Sequence, residues 1–210
     1  PALLPLSVTA GAHGGWAVIT VEDLPEHLVT DKAVEVSFKV RQHGHELLTD
    51  LEPTVIATQG RKSVRMHATA KRGGLYTASL TVPEPGTWNV EIKSGFGRSD
   101  VMLRPIGAIA SGTRAPTVPL HVRGQHLFVA KGCITCHERS DLAAYPSSKA
   151  GPNLSEKQFA PEYLKLYLAD PSIRPPTDKS NSFRMPNLGL KPQEIAALAA
   201  YIGGSGLAGK

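Results

Sequence analysis

All of the cysteine in this chain lies in one short run, Gly132-Cys133-Ile134-Thr135-Cys136-His137. Two thiols three positions apart, followed at once by an imidazole, form the C-x-x-C-H pattern that attaches a haem. The spacing has a chemical reason. Each thiol can add to one vinyl group of a single porphyrin, and the adjacent His137 is then held under the iron as its proximal ligand. One motif implies one covalently attached haem c. A disulfide framework is excluded as the main stabiliser, because no other cysteine exists to build one. Three further readings compete for the same residues, a chance occurrence of the pattern among them. A structural zinc site wants about four ligands, and only Cys133, Cys136, His137 and His126 lie close in sequence. A thioredoxin-like dithiol needs a βαβ setting, which the surrounding pattern does not supply.

The sequence around the motif reads as helical. An apolar segment from Leu120 to Gly132 leads into it, with Leu127, Phe128 and Ala130 among its apolar members. Residues 161–169 carry Tyr163, Leu164, Leu166, Tyr167 and Leu168, a short helix closed by Asp170-Pro171. Pro192 opens a last helix that runs to about Ile202, since proline suits the first helical position. Glu194 in its first turn favours the positive end of the helix dipole. Ile195, Leu198, Tyr201 and Ile202 share a face, and Gly203-Gly204 stops the helix.

Taken in order, these pieces make residues 118–206 resemble a class I (mitochondrial-type) cytochrome c domain. Gly124-x-x-x-Phe128 resembles the family's N-terminal helix signature, in which a small residue lets the C-terminal helix cross closely. Tyr201 stands at the family's C-terminal aromatic. Gly151-Pro152-Asn153-Leu154 resembles the G-P-x-L loop, whose proline carbonyl accepts a hydrogen bond from the proximal histidine; Pro152 would then orient His137. Arg184-Met185-Pro186 resembles the loop that presents the sixth ligand, which makes Met185 the axial candidate and, with His137, the pair that ligates the metal. The other two methionines, Met66 and Met102, lie in the first half. His121 and His126 are the rival sixth ligands, expected on the solvent side of the leading helix. Lys191 departs from the family, which usually has Ser or Asp there, and is expected to weaken the cap by about 1 kcal/mol.

The first half is a different object. Val34, Val36, Phe38 and Val40 alternate with Glu35, Ser37, Lys39 and Arg41 in the period of a strand. Trp88, Val90 and Ile92 repeat this, as do Tyr76, Ala78, Leu80 and Val82. With residues 16–21, 54–58, 62–68 and 101–104, about seven short strands are expected, an immunoglobulin-like β-sandwich. The run from Gly74-Leu75-Tyr76 to Pro85-Gly86-Thr87-Trp88 resembles YtkA/FixH-like domains of bacterial envelope proteins, which often carry a Met/His-rich segment. Here Met66-His67 and His43-Gly44-His45 are the only such material, with His13 and His27 further off. A copper site needs at least three converging ligands. The pair at 43 and 45 reads instead as solvated histidines on a turn, and the domain as a docking or spacing module.

The expected layout is therefore two domains: an all-β immunoglobulin-like sandwich over 1–105 and an all-α cytochrome c fold over 118–210. A Gly/Ser/Thr/Pro-rich linker over 106–117 would join them and allow independent motion unless an interface fixes it. All the haem determinants lie after residue 130, so the second domain is expected to hold its haem alone. Residues 116–210 carry 11 basic and 7 acidic side chains, against 12 and 11 in residues 1–115. That excess would steer the redox domain toward an acidic docking surface on a redox protein or a membrane redox complex. No Lys/Arg run suggests nucleic acid, and no stretch approaches the roughly 18 apolar residues of a membrane span. The first residue is Pro1 rather than Met, which suggests a processed or trimmed N-terminus and so allows a removed signal peptide or anchor that is not visible in the sequence; the location expected of such a c-type cytochrome is the periplasm or the outer face of the cytoplasmic membrane. The function expected is one-electron transfer in a respiratory or photosynthetic chain rather than enzymatic catalysis. The alternatives are a haem-based catalyst or sensor with a labile methionine, or a structural docking subunit of a membrane complex.

Overall fold

Alternating apolar and polar residues build the first half into two sheets, described here from a computed structural model covering residues 15–173 and 184–204. His13 and the outermost residues of both expected domains, 1–14 and 205–210, lie outside the described residues. The strands are β1 (Ala17–Val21), β2 (Leu28–Val29), β3 (Val34–Gln42), β4 (Glu46–Leu47), β5 (Thr54–Gln59) and β6 (Lys62–His67). They continue with β7 (Thr69–Lys71), β8 (Leu75–Leu80), β9 (Gly86–Lys93), β10 (Val101–Met102) and β11 (Ile106–Ile109). One sheet runs β1-β3-β8-β7 with β4 on β3; the other runs β2-β11-β9-β5-β6 with β10 on β9. Phe38, Tyr76 and Trp88 fill the core between them and are fully buried. Phe38 and Tyr76 are paired across β3 and β8, with their rings stacked at 5.9 Å. The buried Tyr76 hydroxyl donates to Leu48 O at 2.9 Å and accepts from the Leu51 N–H at 3.0 Å.

Two expectations change here. Among the described residues there are eleven strands rather than seven, because β2, β4, β7 and β11 are too short to show a period. The linker also begins later than residue 106. β11 pairs antiparallel with β9 and parallel with β2, and its Ile106 and Ala108 are buried, so the first domain reaches Ile109.

The second half is helical: α1 (Leu120–Ala130), the short α2 (Cys133–Cys136), α3 (Pro161–Ala169) and α4 (Pro192–Gly203). α1 and α4 cross at Gly124. A Cβ there would lie 2.0 Å from Ala197 O and 2.6 Å from Tyr201 Cβ, so only glycine permits the approach. Phe128 then meets Tyr201 edge-on at 5.6 Å between ring centroids.

The two halves dock. β1 is buried along its whole length although successive side chains face opposite ways. Ala17, Ile19 and Val21 join the sandwich core, which leaves Val18 and Thr20 on the outer face, covered from the helical side. α1 lies against β1 and β10 and so shields the exposed edge of a sheet. The connection after β1, residues 22–27, receives three cations. Lys131 donates to Glu22 O at 2.6 Å, Arg123 donates to the carbonyls of Leu24 and Pro25, and Lys191 pairs with Asp23. Lys191 thus reaches the β-domain, while its backbone N–H donates to Glu194 Oε2 at 3.0 Å. Glu194 does more than meet the helix dipole: it is buried and ion-paired with Lys131 at 2.8 Å.

The crossing at Gly124 is directly testable. Gly124→Val should lower the unfolding free energy by about 3 kcal/mol through overpacking. Gly107→Ala, where an added Cβ meets nothing within 4 Å, should leave the denaturation midpoint unchanged.

Candidate functional site

α1 ends in a turn that aims the C-x-x-C-H motif. Gly132 has φ +80°, a left-handed conformation that glycine adopts without strain, and it starts α2 immediately. Cys133 is buried and Cys136 half-buried on α2. Burial, with the neighbouring Cys136 thiol, pushes the Cys133 thiol up to about 12. Burial raises Cys136 as well, against a smaller pull from the Ser148 hydroxyl. His137 leaves the helix with extended backbone, its N–H on Cys133 O at 2.9 Å.

A strap of residues 148–154 holds that histidine. Ser148 N–H donates to Thr135 O at 2.7 Å, Gly151 N–H to Cys136 O at 2.9 Å, and Leu154 N–H to Glu138 O at 2.9 Å. His137 Nδ1 lies 2.9 Å from Pro152 O. Donation from Nδ1 leaves Nε2 with the lone pair a metal requires. The ring rests on Gly151, where any Cβ would come within 2.4 Å of its Cε1. Burial lowers the His137 pKa and the bond to Pro152 opposes that shift, so the imidazole is held toward its neutral, ligating form.

Both thiols and His137 line one cleft of roughly 880 Å³, and Met185 and Pro186 line it too. The volume falls within the range of small-molecule and cofactor sites. Phe159, Tyr163 and Tyr167 form a stacked row along it, at 6.2 and 5.8 Å between centroids. Two soft thiols, one neutral imidazole and one thioether around an apolar cleft suit a covalently held haem.

The histidines are placed differently from expectation. Neither His121 nor His126 lines the cleft. His121 is exposed on α1, but His126 is half-buried rather than solvated. Burial lowers its pKa, and the guanidinium groups of Arg104 and Arg123 add to the effect. His43, read as a solvated turn residue, lines the cleft together with Val18, while His45 is exposed. The cleft is therefore walled by both halves of the chain, and residues after 130 do not enclose it alone.

Behind the cleft, Tyr201 donates to Asp141 Oδ2 at 2.6 Å, and Arg139 both stacks on the Tyr201 ring at 4.4 Å and pairs with Asp141 at 3.0 Å. Burial raises the Tyr201 pKa, and its bond to Asp141 raises it further.

Residues 121–205 match the family model described as Cytochrome c. The C-terminal half carries a cytochrome c domain. Covalently bound haem c is the mark of that family, and the Cys133-Ile134-Thr135-Cys136-His137 run lies within the matched cytochrome c segment. No curated protein matches the chain. Among solved structures, a protein described as a glycoside hydrolase from Bacteroides vulgatus is 14% identical with a TM-score of 0.34, covering 42% of this chain and 17% of its own. The Lin-41 filamin domain is 12% identical with a TM-score of 0.36, covering 44% of this chain and 91% of its own.

The Asp141 cluster predicts an acid limb. Burial works to raise the Asp141 pKa, but hydrogen bonds from Tyr201 and Gln125 and the Arg139 charge outweigh it and lower it. Its stabilisation is complete above the ordinary Asp pKa of about 4 and is lost as pH falls through the depressed folded value. Asp141→Asn should therefore flatten the fall in stability below about pH 4, measured by denaturant unfolding at several pH values.

Proposed function

We infer that this chain is a mono-haem c-type cytochrome that carries single electrons, as a carrier or as an electron-transfer subunit of a respiratory or photosynthetic chain. The observation that carries the reading is that Cys133, Cys136, His137 and Met185 all face one cleft. Cys133 and Cys136 would hold haem c through two thioethers. His137 and Met185 would ligate its iron, with Pro152 fixing the orientation of His137. When bound, the group supplies one-electron exchange between Fe(II) and Fe(III), and a neutral thioether on one side favours the reduced state. Two protein ligands, His137 and Met185, would leave no position for substrate, which favours electron transfer over catalysis.

The β-domain, in this reading an immunoglobulin-like module resembling YtkA/FixH-like domains, docks the haem domain rather than binding copper. Lys149, Lys157 and Arg184 line the cleft and give it a basic border. They suit an acidic surface on a redox partner or membrane complex. A haem c protein of this kind works in the periplasm or at the outer face of the cytoplasmic membrane.

Met185→Ala tests the ligation. The haem should stay covalently attached, because residue 185 takes no part in thioether formation. The sulfur-to-iron charge-transfer band of the oxidised protein should vanish and the potential should fall. Carbon monoxide should then bind the reduced variant while leaving the parent spectrum unchanged. Met66→Ala and Met102→Ala, both in the β-domain, should leave band and potential unaltered and cost at most about 2 kcal/mol of stability. A parent that lacks the band, together with a Met185 variant unchanged in spectrum and potential, assigns the sixth position elsewhere, with His43 the cleft-lining candidate. Carbon monoxide binding to the parent protein favours the catalytic or sensing reading instead.

A further inference from the structure

The tip of a β-hairpin ordinarily sits in water. The β3–β4 tip does not: Gly44 is buried. His43 and Gly44 both have positive φ, +51° and +80°, at the centre of the tight turn that the His45 N–H closes on Gln42 O at 3.0 Å, within a three-residue loop. Left-handed backbone is uncommon for a histidine and persists where surroundings hold it. Its N–H donates to Trp16 O at 3.0 Å, and its ring meets the Trp16 indole edge-on at 5.4 Å. On another side lies Gly15, where any Cβ would sit 2.6 Å from His43 Nε2.

What buries Gly44 comes from two places. A Cβ at Gly44 would lie 3.6 Å from Val18 Cγ2 and 3.7 Å from Pro186 Cγ. Pro186 is the residue after Met185. Val18 also packs the other way: a Cβ at Gly132 would lie 2.3 Å from Val18 Cγ1, and Gly132 is the residue before Cys133. One valine of the β-domain thus lies against the turn that starts the haem-attachment motif and beside the hairpin tip, whose other neighbour is the methionine loop.

We propose that the β-domain is a built-in clamp across the cleft, with Val18 and the His43–Gly44 tip positioning the Met185 loop through Pro186. The clamp deepens the His137/Met185 reading and rests on it. Its seat is the ionic and hydrogen-bonded junction of Arg123, Lys131 and Lys191 with residues 22–26. A sixth ligand leaves the iron only if its loop moves outward. Contacts made only in the closed arrangement disfavour that opening, and losing them raises the open population. Val18, Gly44 and Pro186 are therefore positioning residues, and their effect is read in how readily an outside ligand displaces Met185.

The test uses the full-length oxidised holoprotein with imidazole as the probe. Val18→Ala and Pro186→Ala trim the packing around the Gly44 tip from its two sides, so either remains informative should the other fail to fold. Each should raise the imidazole association constant by about tenfold, the scale of a lost packing contact acting on a two-state opening. The double variant should match the singles rather than multiply them, because either change frees the same hairpin tip. Without imidazole, the sulfur-to-iron band should persist in all three. Lys62→Gln, on the surface of the second sheet, should bind imidazole as the parent does. Parent-like imidazole affinity in both single variants, or effects that multiply in the double variant, overturns the clamp. Absence of the sulfur-to-iron band in the parent overturns the ligation reading itself, and that is seen before any variant is made.

Discussion

A buried ammonium must find partners, and Lys131 finds them in both halves of the chain. Its side chain is 5% exposed and that of its partner Glu194 is 7% exposed. One bond runs to that carboxylate at the start of α4, another to Glu22 O after β1. Removing one member of such a pair strands the other charge out of water, at a cost of about 3–5 kcal/mol. Lys131 is also two residues before Cys133. The end of α1, the start of α4 and the β-domain are therefore joined at the point from which the haem-attachment motif departs.

The cleft follows from that junction and from three glycines. Gly124 lets α4 close on α1, Gly132 lets β1 close on the motif, and Gly151 lets the His137 ring lie flat on its strap. Each position brings backbone or a ring to a distance that one extra carbon would forbid. The proximal side is then held by backbone hydrogen bonds from residues 148–154, a rigid arrangement. On the methionine side, Pro186 has the Gly44 hairpin tip beside it, with Val18 behind that tip. Such asymmetry is consistent with the proposed carrier, in which His137 would be the fixed ligand and Met185 the displaceable one.

Much of this was legible in the sequence because it rests on local signals. The C-x-x-C-H run, the proline that opens α3 and α4, and the alternation of Val36, Phe38 and Val40 are all short-range patterns. β11 was missed because Ile106-Gly107-Ala108-Ile109 has the small-residue composition of a linker, and only pairing with β9 and β2 makes it a strand. His43 was misread for a related reason. A His-Gly-His turn reads as solvated, and nothing nearby in sequence reveals that Pro186, far along the chain, covers its neighbour. Lys131 and Glu194 look like ordinary surface charges until the two halves are brought together. What stayed hidden was the long-range contact between domains, which leaves no period in either.

Proton magnetic resonance of the reduced, full-length holoprotein tests the central claim most directly, namely that the haem lies between His137 and Met185 in a cleft walled by both domains. A methyl held over the porphyrin face feels its ring current. The account predicts a strongly upfield Met185 methyl resonance, with through-space cross-peaks from haem protons to the Val18 methyls and the His43 ring. A Met185 methyl at its ordinary position, or haem protons with no cross-peak to either β-domain residue, would contradict it.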